Sequence, residues 1–207
     1  MNFKSQIGQD RFVCEALKNK INGYYIDIGA AHPEDINNTF YLEKELGWDG
    51  LSIDMGPDNE FCHIESGTTK EQFLEIWRTN RTGKFICDNA LNLNYRELFK
   101  KNSVPKIVDY LSIDLEPAST TYECLLKIPF EEYQFRVVTF EHDLYRDPKK
   151  NIEYLKGARA FLKQFNLMPL DVRRYLKNSG YDTDKISVQE DWFLNTKLFK
   201  EETGKVK

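Results

Sequence analysis

The stretch that decides the fold is Gly23-Tyr-Tyr-Ile-Asp-Ile-Gly-Ala-Ala-His32, followed closely by Asn37-Asn38-Thr39. An apolar run ends here at Asp27 and Gly29, and polar residues typical of a helix start come soon afterwards. A buried parallel strand presents a carboxylate and bare backbone to a ligand in this way at the edge of an α/β sheet. The stretch therefore predicts a site for a nucleotide-like cofactor at the end of the first strand.

Length and composition favour one globular domain. The chain has 207 residues, of which 41% are apolar and 14% aromatic, enough to build a core. We expect residues 1–199 to form a single domain and residues 200–207 to be a solvated tail. A formal charge of −4 without a basic stripe argues against nucleic acid as a partner. Since there is neither a bilayer-spanning run nor a secretory leader, we expect a cytoplasmic protein with no membrane partner.

Apolar runs of strand length alternate with helical patterns, which is typical of βαβ units and a mostly parallel sheet. The predicted strands are Tyr24–Gly29, Leu51–Met55, Lys84–Asp88, Tyr110–Glu116, Arg136–Asp143, Tyr181–Val188 and Asp191–Asn195. Helices are predicted between them, including one that starts at Asp147-Pro148 and one from Pro169 to Ser179. Together these elements predict a three-layer α/β sandwich with a Rossmann-like, seven-stranded sheet. Residues 57–70 fit no element and are interpreted as an inserted loop.

Acidic residues close five successive predicted strands. They are Asp27, Asp54, Asp88, Asp114 with Glu116, and the Glu141-His142-Asp143 segment. The carboxyl ends of parallel strands meet at one edge of the sheet, where open α/β folds bind ligands, so each is a candidate site residue. Any of them could instead cap the next helix, an alternative that applies most to Asp88.

The charge of the first motif indicates which cofactor it holds. A dinucleotide site expects GxGxxG around the pyrophosphate, whereas only Gly29 is present here. The carboxylate of Asp27 would repel a pyrophosphate but attract a cofactor that carries an ammonium and a sulfonium. The motif therefore favours S-adenosylmethionine. Asp54 could accept hydrogen bonds from ribose hydroxyls, and Asp88 or Asn89 from an adenine amino group.

Several short motifs, in order and spacing, resemble the FkbM-type class I methyltransferases from Ser5 to about Leu194. They are Ser5–Asp10, Tyr25–Ala30, Asn38-Thr39, Leu42-Glu43, Gly47–Gly50, Asp109–Glu116, Ser179–Tyr181 and Glu190–Phe193. The resemblance implies a seven-stranded sheet whose last strand is antiparallel. It also implies transfer of a methyl group from S-adenosylmethionine to an oxygen, often on a sugar.

The same resemblance implies which residues contact the cofactor. They are Gln6, Gln9, Asp27, Gly29, Ala30, Asn38, Thr39 and Asp54. Asp27, Gly29 and Ala30 would line the methionine part, Asn38 and Thr39 would hold its carboxylate, and Asp54 would take the ribose. Two segments depart from the family pattern. Residues 52–57 replace a Glu-Pro-Asn-Pro-like turn, and Pro117 follows Glu116 where a glycine is usual.

The acceptor side needs a base or a metal, because a sugar hydroxyl is a poor nucleophile. His142 is the only one of the 3 histidines predicted at the carboxyl end of a central strand, and Asp114 ends the adjacent strand. We predict Asp114, Glu116 and His142 as catalytic residues, with either Asp114 or His142 as the base. These residues and Asp143 could instead bind Mg²⁺ or Ca²⁺, but nothing in the sequence requires a metal and we expect none.

Two other functions stay open beside a sugar or glycan O-methyltransferase. A nicotinamide-dependent oxidoreductase would need the phosphate-binding turn that the sequence lacks. A catalytically silent S-adenosylmethionine-binding module of a larger glycan-building protein would keep the cofactor motif. Such a module would have no reason to keep Asp114 and His142 together.

Overall fold

A computed structural model of the protein describes residues 2–58, 62 and 64–203. The strands are Tyr24–Ile28 (β1), Asp49–Asp54 (β2), Lys84–Cys87 (β3), Ile107–Ile113 (β4), Gln134–Glu141 (β5), Leu167–Pro169 (β6) and Glu190–Asn195 (β7). The α-helices are Gln9–Ala16 (α1), Phe40–Leu46 (α2), Lys70–Asn80 (α3), Tyr95–Lys101 (α4), Ala118–Lys127 (α5), Pro148–Lys163 (α6), Val172–Tyr175 (α7), Thr183–Gln189 (α8) and Thr196–Thr203 (α9).

The strands form a 7-stranded sheet in the order β3-β2-β1-β4-β5-β7-β6. β1 pairs with β2, β2 with β3 and β4 with β5 in parallel, whereas β7 runs antiparallel to β5 and to β6. The predicted fold class, a mostly parallel seven-stranded sheet with intervening helices, is confirmed. The last strand is antiparallel, as the family resemblance implies.

The chain forms two compact units, Met1–Leu93 and Asn94–Lys207. The first contains β1 to β3 and α1 to α3, and its core includes Trp48 and Trp77, each 2% exposed. The second contains β4 to β7 and α4 to α9, and its core includes Trp192, which is 0% exposed. A single domain over residues 1–199 stays a prediction.

Predicted helix ends are well reproduced where a capping residue marks them. Asn94 and Asp147 each accept a hydrogen bond from the backbone N–H three residues on, and Pro148 takes the first helical position of α6. Gly47 ends α2 with a left-handed φ of 67°, a conformation that favours glycine. Helix α1 was not predicted.

The C-terminal third corrects the prediction. Most of the segment predicted as the strand Tyr181–Val188 belongs to helix α8, whose N-cap Asp182 accepts a hydrogen bond from the backbone N–H of Lys185 at 3.0 Å. The remaining strand is β6, near the start of the predicted helix at residues 169–179, of which only α7 is helical. β6 ends in Pro169 at the edge of the sheet, where a missing N–H donor is tolerated.

Two predicted segments lie partly outside the described residues. They are the inserted loop at residues 57–70, of which 59–61 and 63 are not described, and the tail at residues 200–207, of which 204–207 are not. The described start of that tail belongs to α9. Within the described part of the chain, no helix is long and apolar enough to cross a bilayer.

Candidate cofactor site and acidic cluster

The chain turns sharply directly after β1. Gly29 has a φ of 84° and Ala31 a φ of 48°, both in the left-handed region. The backbone N–H groups of Gly29 and Ala30 both donate to the carbonyl oxygen of Ile53 in β2, at 2.9 and 3.2 Å. Glycine adopts this conformation without steric penalty, which explains why the position after the strand carries one.

Asp27 lies at this turn with 1% of its surface exposed. Its Oδ2 accepts a hydrogen bond of 2.9 Å from the hydroxyl of Thr39, the N-cap residue of α2. An N-cap threonine usually accepts from a backbone N–H two or three residues further on, but Thr39 makes no such side-chain capping bond. The Thr39 side chain is thereby available to hold Asp27.

Asn37 shapes the loop between β1 and α2. Its side-chain amide donates to the carbonyl oxygens of Ala30 and His32, both at 3.0 Å, and its Oδ1 accepts from the backbone N–H of Thr39 at 2.9 Å. Asn38 follows it and is 7% exposed. The structure therefore brings together the predicted residues Asp27, Gly29, Ala30, Asn38 and Thr39, and adds Asn37, which the sequence analysis quoted but did not predict as a site residue.

Asp54 ties two turns together at the end of β2. It is 3% exposed, its Oδ2 accepts from the backbone N–H of Ala31 at 3.1 Å, and its Oδ1 accepts from that of Gly56 at 2.7 Å. The thiol of Cys62 also lies 3.3 Å from Oδ1. A carboxylate has about four acceptor positions, so binding of a ribose hydroxyl stays a prediction.

Asp88 follows β3 and is exposed. The neighbouring Asn89 caps the next turn, because its Oδ1 accepts from the backbone N–H of Leu91 at 2.9 Å. The capping alternative considered for Asp88 is therefore taken by Asn89, and contact of Asp88 with adenine stays a prediction.

The N-terminal segment is attached to the loop after β1. Gln9 is 1% exposed, whereas Gln6 is exposed. Asp10 organises the segment by accepting a 2.7 Å hydrogen bond from the backbone N–H of Lys4. The Lys4 Nζ forms a 2.8 Å ion pair with Glu34 of the loop. The sequence predicted Gln6 and Gln9 near the cofactor, whereas the contacts that hold the segment come from Lys4 and Asp10.

A second group of polar side chains lies in the unit formed by residues 94–207. Carboxylate oxygens of Glu116, Glu141 and Asp143 all lie within 4.8 Å of one another, and we call these three residues the acidic cluster. Glu116 follows β4, and the other two close β5. Arg146 forms ion pairs with Glu116 at 2.5 Å and with Asp143 at 3.0 Å. Glu141 was noticed as a strand-end acid but was not among the predicted catalytic residues.

Burial and repulsion between neighbouring carboxylates raise the pKa values of the acidic cluster. Burial, followed by the charge of Asp143, raises the pKa of Glu116 to about 7, although Arg146 opposes the shift. Burial raises the pKa of Glu141 far above its ordinary value, with a further contribution from Asp114. Burial also raises the pKa of Asp143. Glu141 therefore keeps its proton at neutral pH.

The acidic cluster has the donor set of a hard divalent cation. Mg²⁺ and Ca²⁺ prefer carboxylate oxygens. Apart from the ion pair of Asp143 with Arg146, the carboxylate oxygens of the buried Asp143, and Oε2 of Glu141, have no hydrogen-bond partner among the described residues. The residues present would therefore fit a cation, although Arg146 already neutralises part of their charge. The expected independence from metal stays a prediction.

His142 does not belong to this cluster. It is 0% exposed, and its Nε2 lies 3.9 Å from Oδ1 of Asp191, which Arg159 holds with two hydrogen bonds. Burial lowers the pKa of His142 to about 4, so its ring is neutral at pH 7. Asp191 comes beside His142 because β7 pairs with β5.

The structure adds Asp191 as a neighbour of His142, and the predicted partnership of Asp114 with His142 stays a prediction. Asp114 lies close enough to Glu141 to raise its pKa, while His142 is held beside Asp191. His142 is fully buried here, and its catalytic role stays a prediction. Asp114 and Glu116, both partly exposed, are better placed to act on an acceptor.

Comparisons with known proteins give matches at the level of structure only. No protein-family model matches the chain, and no curated protein sequence matches it. The solved structure of the O-methyltransferase NovP superposes with a TM-score of 0.54 at 10% identity, over 91% of this chain and 78% of NovP. The chain has the class I methyltransferase fold.

Two further structures are similar at lower scores. Human methyltransferase-like protein 13, in complex with SAH, has a TM-score of 0.49 at 12% identity, over 92% of this chain and 82% of that one. An rRNA methylase from Streptococcus thermophilus has a TM-score of 0.45 at 13% identity, over 90% and 93% of the two chains. No conclusion is based on these two lower-scoring superpositions, and the resemblance to FkbM-type enzymes is not confirmed.

Proposed function

We propose that the protein is an S-adenosylmethionine-dependent O-methyltransferase that acts on a hydroxyl of a sugar or glycan. The observation that carries the proposal is the buried carboxylate of Asp27, 1% exposed, beside the left-handed Gly29 in a class I methyltransferase fold. A negative charge at this turn favours a cofactor with an ammonium and a sulfonium over a pyrophosphate. The sugar acceptor is supported by the resemblance of the short motifs to FkbM-type enzymes.

In this function the residues at the end of β1 bind the methionine part of the cofactor, and Asp54 and Asp88 its adenosine part. The reaction is an in-line displacement, in which the acceptor oxygen attacks the methyl carbon and the sulfonium leaves as the thioether of S-adenosylhomocysteine. The hydroxyl proton passes to a base. We assign this role to Glu116, with Asp114 as its neighbour. A base works best when its pKa is near the operating pH, and the pKa of Glu116 is raised to about 7.

Calorimetric titration with S-adenosylhomocysteine, S-adenosylmethionine and NAD tests the cofactor. We expect both adenosyl compounds to bind and NAD to give no heat, and we expect Asp27→Ala to abolish binding. Binding of NAD alone would favour the oxidoreductase alternative and contradict the proposal.

Transfer of a radiolabelled methyl group from S-adenosylmethionine to a panel of glycosides tests the reaction. We expect Glu116→Gln to keep cofactor affinity and to lower turnover by about 10²–10⁴-fold, the usual contribution of a positioned base. Glu123→Gln, which changes an exposed glutamate of α5, is the matched control and should retain turnover. Cofactor binding without transfer to any member of the panel would favour the silent-module alternative.

A further inference from the structure

Arg81 is a buried cation that no motif in the sequence marks. It directly follows α3, and its side chain is 0% exposed. A charged group placed in the interior is strongly destabilising unless it is paired and hydrogen-bonded. The contacts of this side chain therefore show which groups it holds in place.

All of the hydrogen-bonding capacity of Arg81 is used inside the unit formed by residues 1–93. A guanidinium has five N–H donors. Their acceptors are Glu43 Oε2 (2.9 Å) for Nε, the Pro33 carbonyl (2.9 Å) and Asn37 Oδ1 (3.0 Å) for Nη1, and Tyr25 Oη (2.9 Å) and Thr39 Oγ1 (2.9 Å) for Nη2. Three of these acceptors belong to the loop between β1 and α2.

Thr39 connects Arg81 to the candidate cofactor site. Its hydroxyl oxygen accepts from Arg81 and its hydroxyl hydrogen is donated to Asp27 Oδ2, both at 2.9 Å. Asn37 Oδ1 lies 3.1 Å from the same hydroxyl, but it already accepts from the backbone N–H groups of Thr39 and Phe40 and from Arg81. Because a hydroxyl has a single hydrogen, that hydrogen is better used by the carboxylate of Asp27 while Arg81 is in place. The carboxylate of Asp27 is thereby oriented from a residue that lies beyond α3.

Glu43 provides the negative charge that balances Arg81. Its side chain is 1% exposed, and it also accepts hydrogen bonds of 2.6 Å from Tyr25 Oη and from the backbone N–H of Thr82. Burial alone would raise the pKa of Glu43, but the charge of Arg81 and these hydrogen bonds outweigh it and lower the pKa. Since Glu43 stays ionised and neutralises the guanidinium, the charge of Asp27 can act on a cationic ligand.

We propose that Arg81, with Glu43 as its counter-ion, is a positioning residue that acts through Thr39 to set the orientation of Asp27 for the amino-acid part of S-adenosylmethionine. This inference rests on the proposed function. It assigns to Arg81 no contact with the cofactor itself.

The test compares two ligands that differ in the amino-acid part, for which Asp27 is proposed to be oriented. S-Adenosylhomocysteine carries the amino-acid part, whereas methylthioadenosine has the same adenosine without it. Arg81→Lys keeps the charge but offers only three donors in a different geometry. By calorimetry we expect Arg81→Lys to bind S-adenosylhomocysteine about tenfold or more weakly, a typical effect of losing a charge-assisted hydrogen bond, and to bind methylthioadenosine as before. Equal weakening for both ligands would reveal a purely structural role and overturn the proposal.

Two variants of Thr39 test whether Arg81 acts on Asp27 through the Thr39 hydroxyl. Thr39→Val keeps the shape but removes the hydroxyl, and should show the same selective loss, whereas Thr39→Ser should keep wild-type affinity. The double variant Arg81→Lys/Thr39→Val should lose no more affinity than the larger single effect. Additive losses would show that Arg81 does not act through Thr39. If Arg81→Lys does not fold, the double variant Arg81→Met/Glu43→Gln takes its place, because it leaves no buried charge unpaired, and it should show the same selective loss.

Asp109→Asn is a matched control for destabilisation. It breaks a largely buried ion pair in the other unit, between Arg136 and Asp109 at 3.1 Å. It should lower the melting temperature but leave both affinities unchanged, and a selective loss in this variant would contradict the proposal. If the wild-type protein binds neither ligand, the proposed function itself fails. If it binds both and the Arg81 and Thr39 variants do too, only the positioning role is wrong.

Discussion

His142 shows how burial can outweigh a nearby carboxylate in setting the protonation of a side chain. Its pKa falls from an ordinary value of 6.5 to about 4 in the folded protein. Between these values the unfolded chain binds a proton that the native state does not, so stability is present above pH 6.5 and is lost as the pH falls. At about 1.4 kcal/mol per pKa unit, the loss amounts to about 3 kcal/mol.

His142→Asn should remove this contribution, since asparagine does not titrate and can still accept from the backbone N–H of Leu144 as the Nδ1 of His142 does. Urea unfolding at pH 4.5 and pH 7, in buffer with a chelator, measures it. We expect the difference in free energy of unfolding between the two pH values to shift in favour of pH 4.5. An unchanged difference would show that His142 is protonated in the native state.

Glu116 should give a pH dependence of the opposite sign. Its pKa is raised from 4.5 to about 7, so the native state holds a proton that the unfolded chain has lost. Its contribution to stability is present below pH 4.5 and is lost as the pH rises to 7. Glu116→Gln should therefore raise the melting temperature at pH 8 relative to wild type and have little effect at pH 4.5. Glu123→Gln should change neither value.

Single residues differ in how far the sequence predicts them. Asp27 and Gly29 were predicted as a pair because they end an apolar run, which is a local pattern. Arg81 was not, because its partners Glu43 and Tyr25 lie 38 and 56 positions away in the chain. A contact between positions so far apart produces no periodic pattern in the sequence. Likewise, the burial of His142 depends on β7, which follows much later.

Among the elements, α3 has an N-terminal cap that substitution can test. Thr69 accepts from the backbone N–H of Gln72 at 3.2 Å, and the Gln72 side chain accepts from the backbone N–H of Thr69 at 2.8 Å. This is a capping box, and losing an N-cap hydroxyl costs about 1 kcal/mol. We expect Thr69→Ala to lower the free energy of unfolding by about this amount in urea titrations, and Thr69→Ser to retain it. Equal stability of the two variants would show that the box is not formed.

Capping residues and element length explain which elements were predicted correctly. Helix α6 has an N-cap aspartate, a proline at its first position and 16 residues, so its signal is local and long. Helix α8 has 7 residues and contains Thr183, Ile186 and Val188, whose branched side chains favour strands in a sequence-based reading. Strand β6 has only 3 residues. The secondary structure of such short segments depends on the elements with which they pack or pair.

At the scale of the whole molecule, a bound cofactor should stabilise the native state. A ligand present at about 100 times its dissociation constant adds about 2.7 kcal/mol to the free energy of unfolding. We therefore expect S-adenosylhomocysteine to raise the melting temperature, NAD to leave it unchanged, and Asp27→Ala to abolish the rise. Stabilisation of Asp27→Ala equal to that of wild type would place the binding elsewhere.

Metal removal tests the acidic cluster in the intact protein. We expect exhaustive chelation to leave methyl transfer unchanged, since Glu116 and its neighbours can act as base and acceptors unaided. Loss of activity that Mg²⁺ restores would show instead that Glu116, Glu141 and Asp143 hold a cation. Glu141→Gln would then weaken the dependence on Mg²⁺, with Glu153→Gln as an exposed control.

The sequence predicts the class of fold better than its topology. Alternation of strand and helix patterns is enough to indicate a mostly parallel sheet. Local patterns do not predict the strand order β3-β2-β1-β4-β5-β7-β6, because that order depends on which strands pair across long stretches of chain. Those pairings bury side chains that look alike in sequence, such as the apolar residues of β1, β4 and β5.

The three tryptophans have an optical consequence. Trp48 and Trp77 are buried in the first unit and Trp192 in the second, and the indole ring of Trp77 lies 5.1 Å from the guanidinium carbon of Arg81. Trp192→Phe would leave a chain whose tryptophan emission, excited selectively, comes from residues 1–93 alone. Its emission spectrum would then follow the melting of that unit, including the surroundings of the Arg81 guanidinium beside Trp77, without an added dye.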